Sequence, residues 1–242
     1  MFENRTYRTL CQSERFTPFR LTVKETDLAL YAAKDLTAEA TDALVNHRLV
    51  LERWIKAHPG FATRLSPEPL KTPAPALVRT MVEASQKAGV GPMAAVAGAL
   101  AQAVGESLAP LSPEVIVENG GDTYLSVQKE TTVALHAGDS PFTMKVGLKF
   151  SAPAAPFSIC TSSGTIGHSL SFGTSDVVTV VAPCAALADA AATSIGNQVS
   201  DKENAIASAI DFGQKIPGIT GIVVIKGDRI GLWGEIELVH LS

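Results

Sequence analysis

Near residue 110 the periodicity of the chain switches, and that switch excludes most architectures. From residue 114 to 150 the sequence runs EVIVE, TYLSVQ, TTVALHA and TMKVGLKF, stretches rich in β-branched and apolar residues. Asn119-Gly120-Gly121-Asp122, Lys129-Glu130 and Gly138-Asp139-Ser140-Pro141 separate them, so the segment reads as an antiparallel meander. Before it the pattern is mostly helical. After an alternating hairpin signal (FTPFRLTV and LALYAA), Asp35 or Thr37 can cap a helix that runs to about His58. Leu44, Val45, Leu49 and Ile55 form its expected apolar face. A second helix is expected over about 76–87 and a third over about 93–104, opened by Pro92. Beyond the meander come a strand at Val177 to Ala182, the alanine-rich helix of 182-APCAALADAAATSIGNQV-199, a helix at about 203–213 and two strands, GIVVIKG and GEIELVHL. Helices grouped early and strands grouped in the middle argue an α+β fold rather than alternating βαβ units. The expectation is one domain over residues 1–242, with two subdomains dividing at about 110.

Composition narrows the class. An apolar fraction of 46% and a charged fraction of 18% supply a core for 242 residues. The net charge is −4, with no Lys/Arg cluster and no interleaving of basic and aromatic residues, which argues against a nucleic-acid partner. Cys11, Cys160 and Cys184 are dispersed and odd in number, so packing in a reducing compartment is the natural role. The N-terminus MFENRTYRTLCQSERF lacks an apolar signal segment. The most apolar stretch, 90–104, contains Gln102 and falls short of the ~20 residues of a membrane span. These features predict a cytoplasmic protein without a membrane partner. Five prolines, Pro59, Pro67, Pro69, Pro73 and Pro75, mark an irregular connection or a lid.

Four motifs carry candidate chemistry. Asp189 and Thr193 stand one turn apart on the alanine-rich helix, so both can face one cation. Mg2+ takes oxygen ligands and commonly one or two carboxylates plus phosphate oxygens. A solvent stripe of Asp189, Thr193, Asn197 and Ser200 explains the same spacing. Glu118-Asn119-Gly120-Gly121-Asp122 is either a tight hairpin turn or a glycine loop that admits a ligand close to the backbone. Gly89-Val90-Gly91-Pro92-Met93-Ala94 matches G-x-G-x-x-A, but a helical pattern precedes it, so a Rossmann reading fails. A phosphate at a helix N-terminus and a plain helix break remain as readings of Gly91. The stretch 160-CTSSGTIGHSLSFGTSD-176 concentrates hydroxyls and glycines around one imidazole, His168, which is either functional or structural.

The order of these motifs resembles the ApbE family, flavin transferases that move FMN from FAD onto a protein threonine. The likeness spans roughly residues 87 to 200 and is strongest from Glu118 to Thr193: N-G-G-D, then T-S-S-G with a downstream His, then V-T-V-V-A-P and A-D-A-A-A-T. It implies antiparallel sheets packed against helices around a central cleft. It implies Mg2+ and FAD as cofactors, with Asp189 and Thr193 as metal ligands and His168 as the catalytic base. By the same resemblance Gly91, Asn119, Gly120, Gly121, Asp122, Thr161, Ser162, Ser163 and Gly164 belong to the nucleotide pocket. The implied function is a Mg-dependent enzyme acting on a flavin or dinucleotide, an FMN transferase or FAD pyrophosphatase, and a homo-oligomer is compatible with it. The family's His segment continues into Asp-Pro-x-Thr-Gly, whereas here it reads His168-Ser169-Leu170-Ser171-Phe172-Gly173, and no lysine lies between Gly91 and Gly98. A flavin- or nucleotide-binding protein without transferase activity is the alternative.

Overall fold

The computed structural model describes residues 15–163 and 173–241. Its frame is an eight-stranded sheet in which every neighbouring pair is antiparallel. In chain order the strands are β1 (Thr17–Val23), β2 (Thr26–Ala32), β3 (Val115–Asn119), β4 (Asp122–Ser126), β5 (Thr131–Ala134), β6 (Val146–Phe150), β7 (Phe157–Ser162), β8 (Val177–Ala182), β9 (Gly221–Lys226), β10 (Arg229–Gly234) and β11 (Glu237–His240). The large sheet has the order β1-β2-β3-β4-β7-β8-β9-β10, and β11-β6-β5 form a second, three-stranded sheet. The helices are α1 (Thr37–Ala57), α2 (Ala76–Ala88), α3 (Val96–Leu108), α4 (Ala185–Gly196) and α5 (Ala205–Gly213), with a short 3-10 turn at Pro92–Ala95 leading into α3.

Strand alternation sorts the core into two layers. Leu28, Leu30, Val115, Val117, Tyr124, Cys160, Val178, Val180, Ile222 and Val224 face the helices. Their neighbours Ala29, Tyr31, Ile116, Leu125, Ile159, Val223 and Ile225 face the small sheet, where Val146 and Leu148 meet them. Central strands are therefore covered on both sides, which is why β3 and β8 are buried along their whole length. The edge strand β10 alternates between exposed and half-buried positions.

Several expectations are corrected here. The stretch 114–150 is not one meander. β3 and β4 form a hairpin in the large sheet, β5 and β6 pair in the small one, and β4 finds its next neighbour in β7. β7 runs into the hydroxyl- and glycine-rich stretch that begins at Cys160, where no strand was expected, and β10 is an additional strand between the two expected at the C-terminus. The apolar face of α1 is also different. Ala40, Leu44 and Leu51 are buried, while Val45 and Leu49 are 43% and 42% exposed. Among the described residues no single helix is long and apolar enough to cross a membrane.

Close approach explains the glycines of α3. A Cβ on Gly105 would lie 2.3 Å from the Tyr124 ring, so this helix rests directly on β4. A Cβ on Gly98 would lie 2.4 Å from the Ala185 carbonyl oxygen, so the start of α3 touches the start of α4. The proline-rich connection passes over the C-terminal end of α1 and lines a cavity of about 310 Å³ with Trp54, His58, Phe61, Arg64 and Lys71.

Candidate functional site

The site is built where the β3–β4 turn, β7 and the first turns of α3 and α4 converge. Asn119 and Asp122 pair across the two-residue turn of Gly120 and Gly121, whose φ values are 71° and 103°. Glycine takes positive φ at no steric cost, and with Asn119 and Asp122 paired the turn reading of N-G-G-D is correct for the backbone. The turn also delivers side chains to the helix layer. Asn119 donates its amide to the Ala97 carbonyl at 3.0 Å, pinning the hairpin to the start of α3. Asp122, two residues before the helix-facing Tyr124, points the same way and is 6% exposed.

Asp189 meets this corner from α4. Its Oδ2 accepts the Gly98 N–H at 2.9 Å, an N–H in the first turn of α3 that has no partner within its own helix. The absent Cβ at Gly98 allows this contact, since it would stand 3.0 Å from the Asp189 Cβ. Ten of the twelve residues of α4 are buried, while Asp189 and Thr193 keep partial exposure along one stripe. The Thr193 hydroxyl makes no hydrogen bond among the described residues, whereas buried Ser194 donates to the Ala88 carbonyl at 2.5 Å. The N-terminus of α4 is closed by Gln102, whose Oε1 accepts the Ala185 N–H at 2.8 Å.

The electrostatics of this corner are those of uncompensated acid. Burial pushes the Asp189 carboxyl up to about 7 against the opposing pull of the Gly98 and Ala97 N–H groups. Asp122 is raised well above its usual range by burial first, then by the Asp189 charge. Cys160, fully buried, is pushed up by burial and by both carboxylates, and its thiol donates to the Ala185 carbonyl at 3.4 Å. Asp122 and Asp189 belong to none of the ion pairs among the described residues. A buried carboxylate without a basic partner binds a proton or an external cation.

The remaining expected residues distribute unevenly. Ser162 shares the helix-facing parity of Cys160 and is buried. Thr161 does not join them through its hydroxyl. Strand alternation turns that side chain toward the other face, where it bonds the Thr179 hydroxyl at 3.1 Å, and only its N–H reaches the corner, donating to Asp122 at 3.2 Å. Gly121 does not offer a free N–H to a phosphate, because Glu118 Oε1 accepts it at 2.7 Å. Gly91 is glycine because a Cβ there would lie 1.8 Å from the Arg64 carbonyl oxygen. Protein fills that space, and the element Gly91 opens is a four-residue 3-10 turn. Ser163 follows β7 directly, and Gly164 and His168 lie outside the described residues.

Sequence reasoning overlooked two members of the corner and gave a third no role of its own. Cys160 carried no signal beyond a small apolar residue. Gly98 looked like any glycine in an alanine-rich helix. Glu118 was legible as the one charge closing the apolar run VIV, just before the turn it buttresses.

These oxygens can be tested for a hard cation. No group of three or more His, Cys, Asp and Glu converges on a metal position among the described residues. Two carboxylates and one unpartnered hydroxyl nonetheless suit Mg2+, which takes few protein ligands and completes its shell with water and phosphate. No soft donor competes, since Cys160 is held protonated by its surroundings.

Comparisons with known proteins bear on the family and the fold. The family described as AbpE bacteria matches residues 8–225. A UPF0280 protein of Methanocaldococcus jannaschii is 40% identical over 226 residues, covering 91% of this chain and 92% of the relative. A UPF0280 protein of Methanosarcina acetivorans is 37% identical over 219 residues, covering 90% and 86%. Among solved structures, the flavin transferase ApbE of Vibrio cholerae superposes with a TM-score of 0.53 at 12% identity, over 90% of this chain and 96% of that one. The apo flavinyl transferase ApbE of Pseudomonas stutzeri gives 0.54 at 14% identity, over 93% and 96%. At these identities the likeness to the solved transferases is one of fold, while the family match spans most of the sequence: the chain belongs to the AbpE bacteria family, with an ApbE-like α+β fold.

Proposed function

We propose that the protein is a magnesium-dependent enzyme that acts on FAD, transferring or releasing the FMN half at the pyrophosphate. The observation that supports this most directly is the pair Asp122 and Asp189, two carboxylates in each other's field with no basic partner. Asp189 and Thr193 would hold the cation, with Asp122 as the second carboxylate beside them. A bound Mg2+ supplies neutralisation of pyrophosphate charge. The chain's own residues set the geometry for that. Gly98 N–H fixes the rotamer of Asp189, Thr161 N–H and the tight turn fix Asp122, and Asn119 locks the turn to α3. Ser162 and Ser163 stand at the end of β7, within the segment the family resemblance assigns to the nucleotide. The same resemblance gives His168 the part of base toward an incoming hydroxyl, worth about 10²–10⁴-fold in rate.

A second reading, nucleotide binding without transfer, is favoured by one observation. The family's Asp-Pro-x-Thr-Gly pattern after the histidine is replaced here by Ser-Leu-Ser-Phe-Gly. The deciding experiment incubates purified protein with FAD, with and without Mg2+, and separates FAD, FMN and AMP by chromatography. The expected result is magnesium-dependent release of AMP, lost in Asp189→Ala and strongly reduced in His168→Ala. FAD recovered intact in a complex with the protein under every divalent cation would establish binding alone. No binding and no turnover would sink both readings.

A further inference from the structure

The outward face of α1 points to a self-association surface, independent of the flavin site. This helix buries Ala40, Leu44 and Leu51 against the molecule. Its opposite stripe is exposed at Glu39, Asp42, Val45, Asn46, Leu49, Val50, Arg53 and Lys56. At 100° per residue these eight positions span less than half of the helix circumference. Val45, Leu49 and Val50 are 43%, 42% and 37% exposed, three of the six large exposed apolar side chains among the described residues, gathered within two turns. Isolated exposed apolar residues are ordinary, whereas a cluster rimmed by charge marks a contact surface.

The charges on the stripe identify the partner. Both acids, Glu39 and Asp42, precede the apolar patch, and both bases, Arg53 and Lys56, follow it. None of the four takes part in an ion pair among the described residues, unlike Arg48 on the flank of the same helix, which pairs with both Glu25 and Glu52. A dyad axis passing midway between His47 and Arg48 relates every one of these positions to another. Asp42 falls opposite Arg53, Glu39 opposite Lys56, Val45 opposite Val50 and Asn46 opposite Leu49 of a second, antiparallel α1. Such an isologous contact places apolar residues at its centre and opposite charges at both ends. A parallel pairing would set like charges against each other. We propose that the protein forms a homodimer through antiparallel packing of α1 on α1 of a second copy.

Sedimentation equilibrium on the full chain tests this. The wild type is expected to contain a species of twice the 25.3 kDa chain mass that grows with concentration. Leu49→Glu should weaken the dimer by about tenfold or more. Asp42→Arg should weaken it, and Asp42→Arg combined with Arg53→Asp should restore it, because the pair is only exchanged across the axis. Far-UV circular dichroism spectra should be unchanged in all variants, since these side chains are exposed. A wild type that stays at 25.3 kDa throughout the concentration series overturns the proposal. So does a dimer indifferent to Leu49→Glu, or a charge-exchanged double variant no tighter than Asp42→Arg alone. FAD turnover is measured separately, so either result leaves the reading of the flavin site untouched.

Discussion

Asp189 spends folding free energy to stand where it does. Its carboxyl is raised to about 7 from an ordinary 3.8, so the folded protein prefers it protonated. A group with a raised folded value contributes stability below the unfolded value and loses it as pH rises through the folded one. Metal-free protein is therefore expected to lose thermal stability between about pH 4 and pH 8. Asp189→Asn keeps an acceptor for the Gly98 N–H and removes the charge. It should flatten that pH dependence and raise the midpoint at pH 8 by roughly 3–6 °C in calorimetry, the size expected for 1–2 kcal/mol in a chain of this length. A metal-free variant that melts lower than wild type at pH 8 would contradict the account. Gly98→Ala tests the same contact from the other side. Its Cβ meets backbone rather than a yielding side-chain tip, so a loss of about 1–3 kcal/mol in urea unfolding is expected, together with weaker magnesium binding by calorimetry.

At the scale of elements, α3 and α4 hold the site by exchanging polar groups at their N-termini. Gly98 N–H goes to Asp189 of α4, and Ala185 N–H goes to Gln102 of α3. Gln102→Ala leaves the second donor unpaired and should cost about 1 kcal/mol, comparable to losing a helix cap. Hydrogen exchange at the start of α4 should accelerate, while exchange in the strands stays unchanged. The elements themselves were largely legible. The hairpin of β1 and β2, the four longer helices and β8 follow from local periodicity and from the breaks at Pro59-Gly60, Gly89 and Gly120-Gly121. What local pattern could not decide was orientation. α1 is apolar on more than one side, and packing on α3 and β1 selected Leu44 and Leu51 for burial over Val45 and Leu49. The site divides the same way. The Asp189–Thr193 spacing was visible along one helix, but that the Thr161 hydroxyl meets Thr179 while its N–H reaches Asp122 depends on strand register.

For the whole molecule, two cores share one sheet and carry different duties. The helix-side core holds the site residues, and the small-sheet side supports the frame. Leu148 is fully buried in the latter. Leu148→Ala should therefore cost about 2–5 kcal/mol in urea unfolding and leave magnesium affinity, measured by calorimetry below the unfolding midpoint, within a factor of about two. A large loss of affinity in a still-folded variant would show that the two layers are coupled. The sequence by itself determined the α+β class and the helical spacing of the acid and the hydroxyl, because each depends on neighbours a few residues apart. Only the tertiary structure decided that the strands after the first hairpin divide between two sheets and that Asp122 is carried into the field of Asp189. Those outcomes depend on which apolar faces are buried together across the whole chain, and local periodicity does not contain that choice.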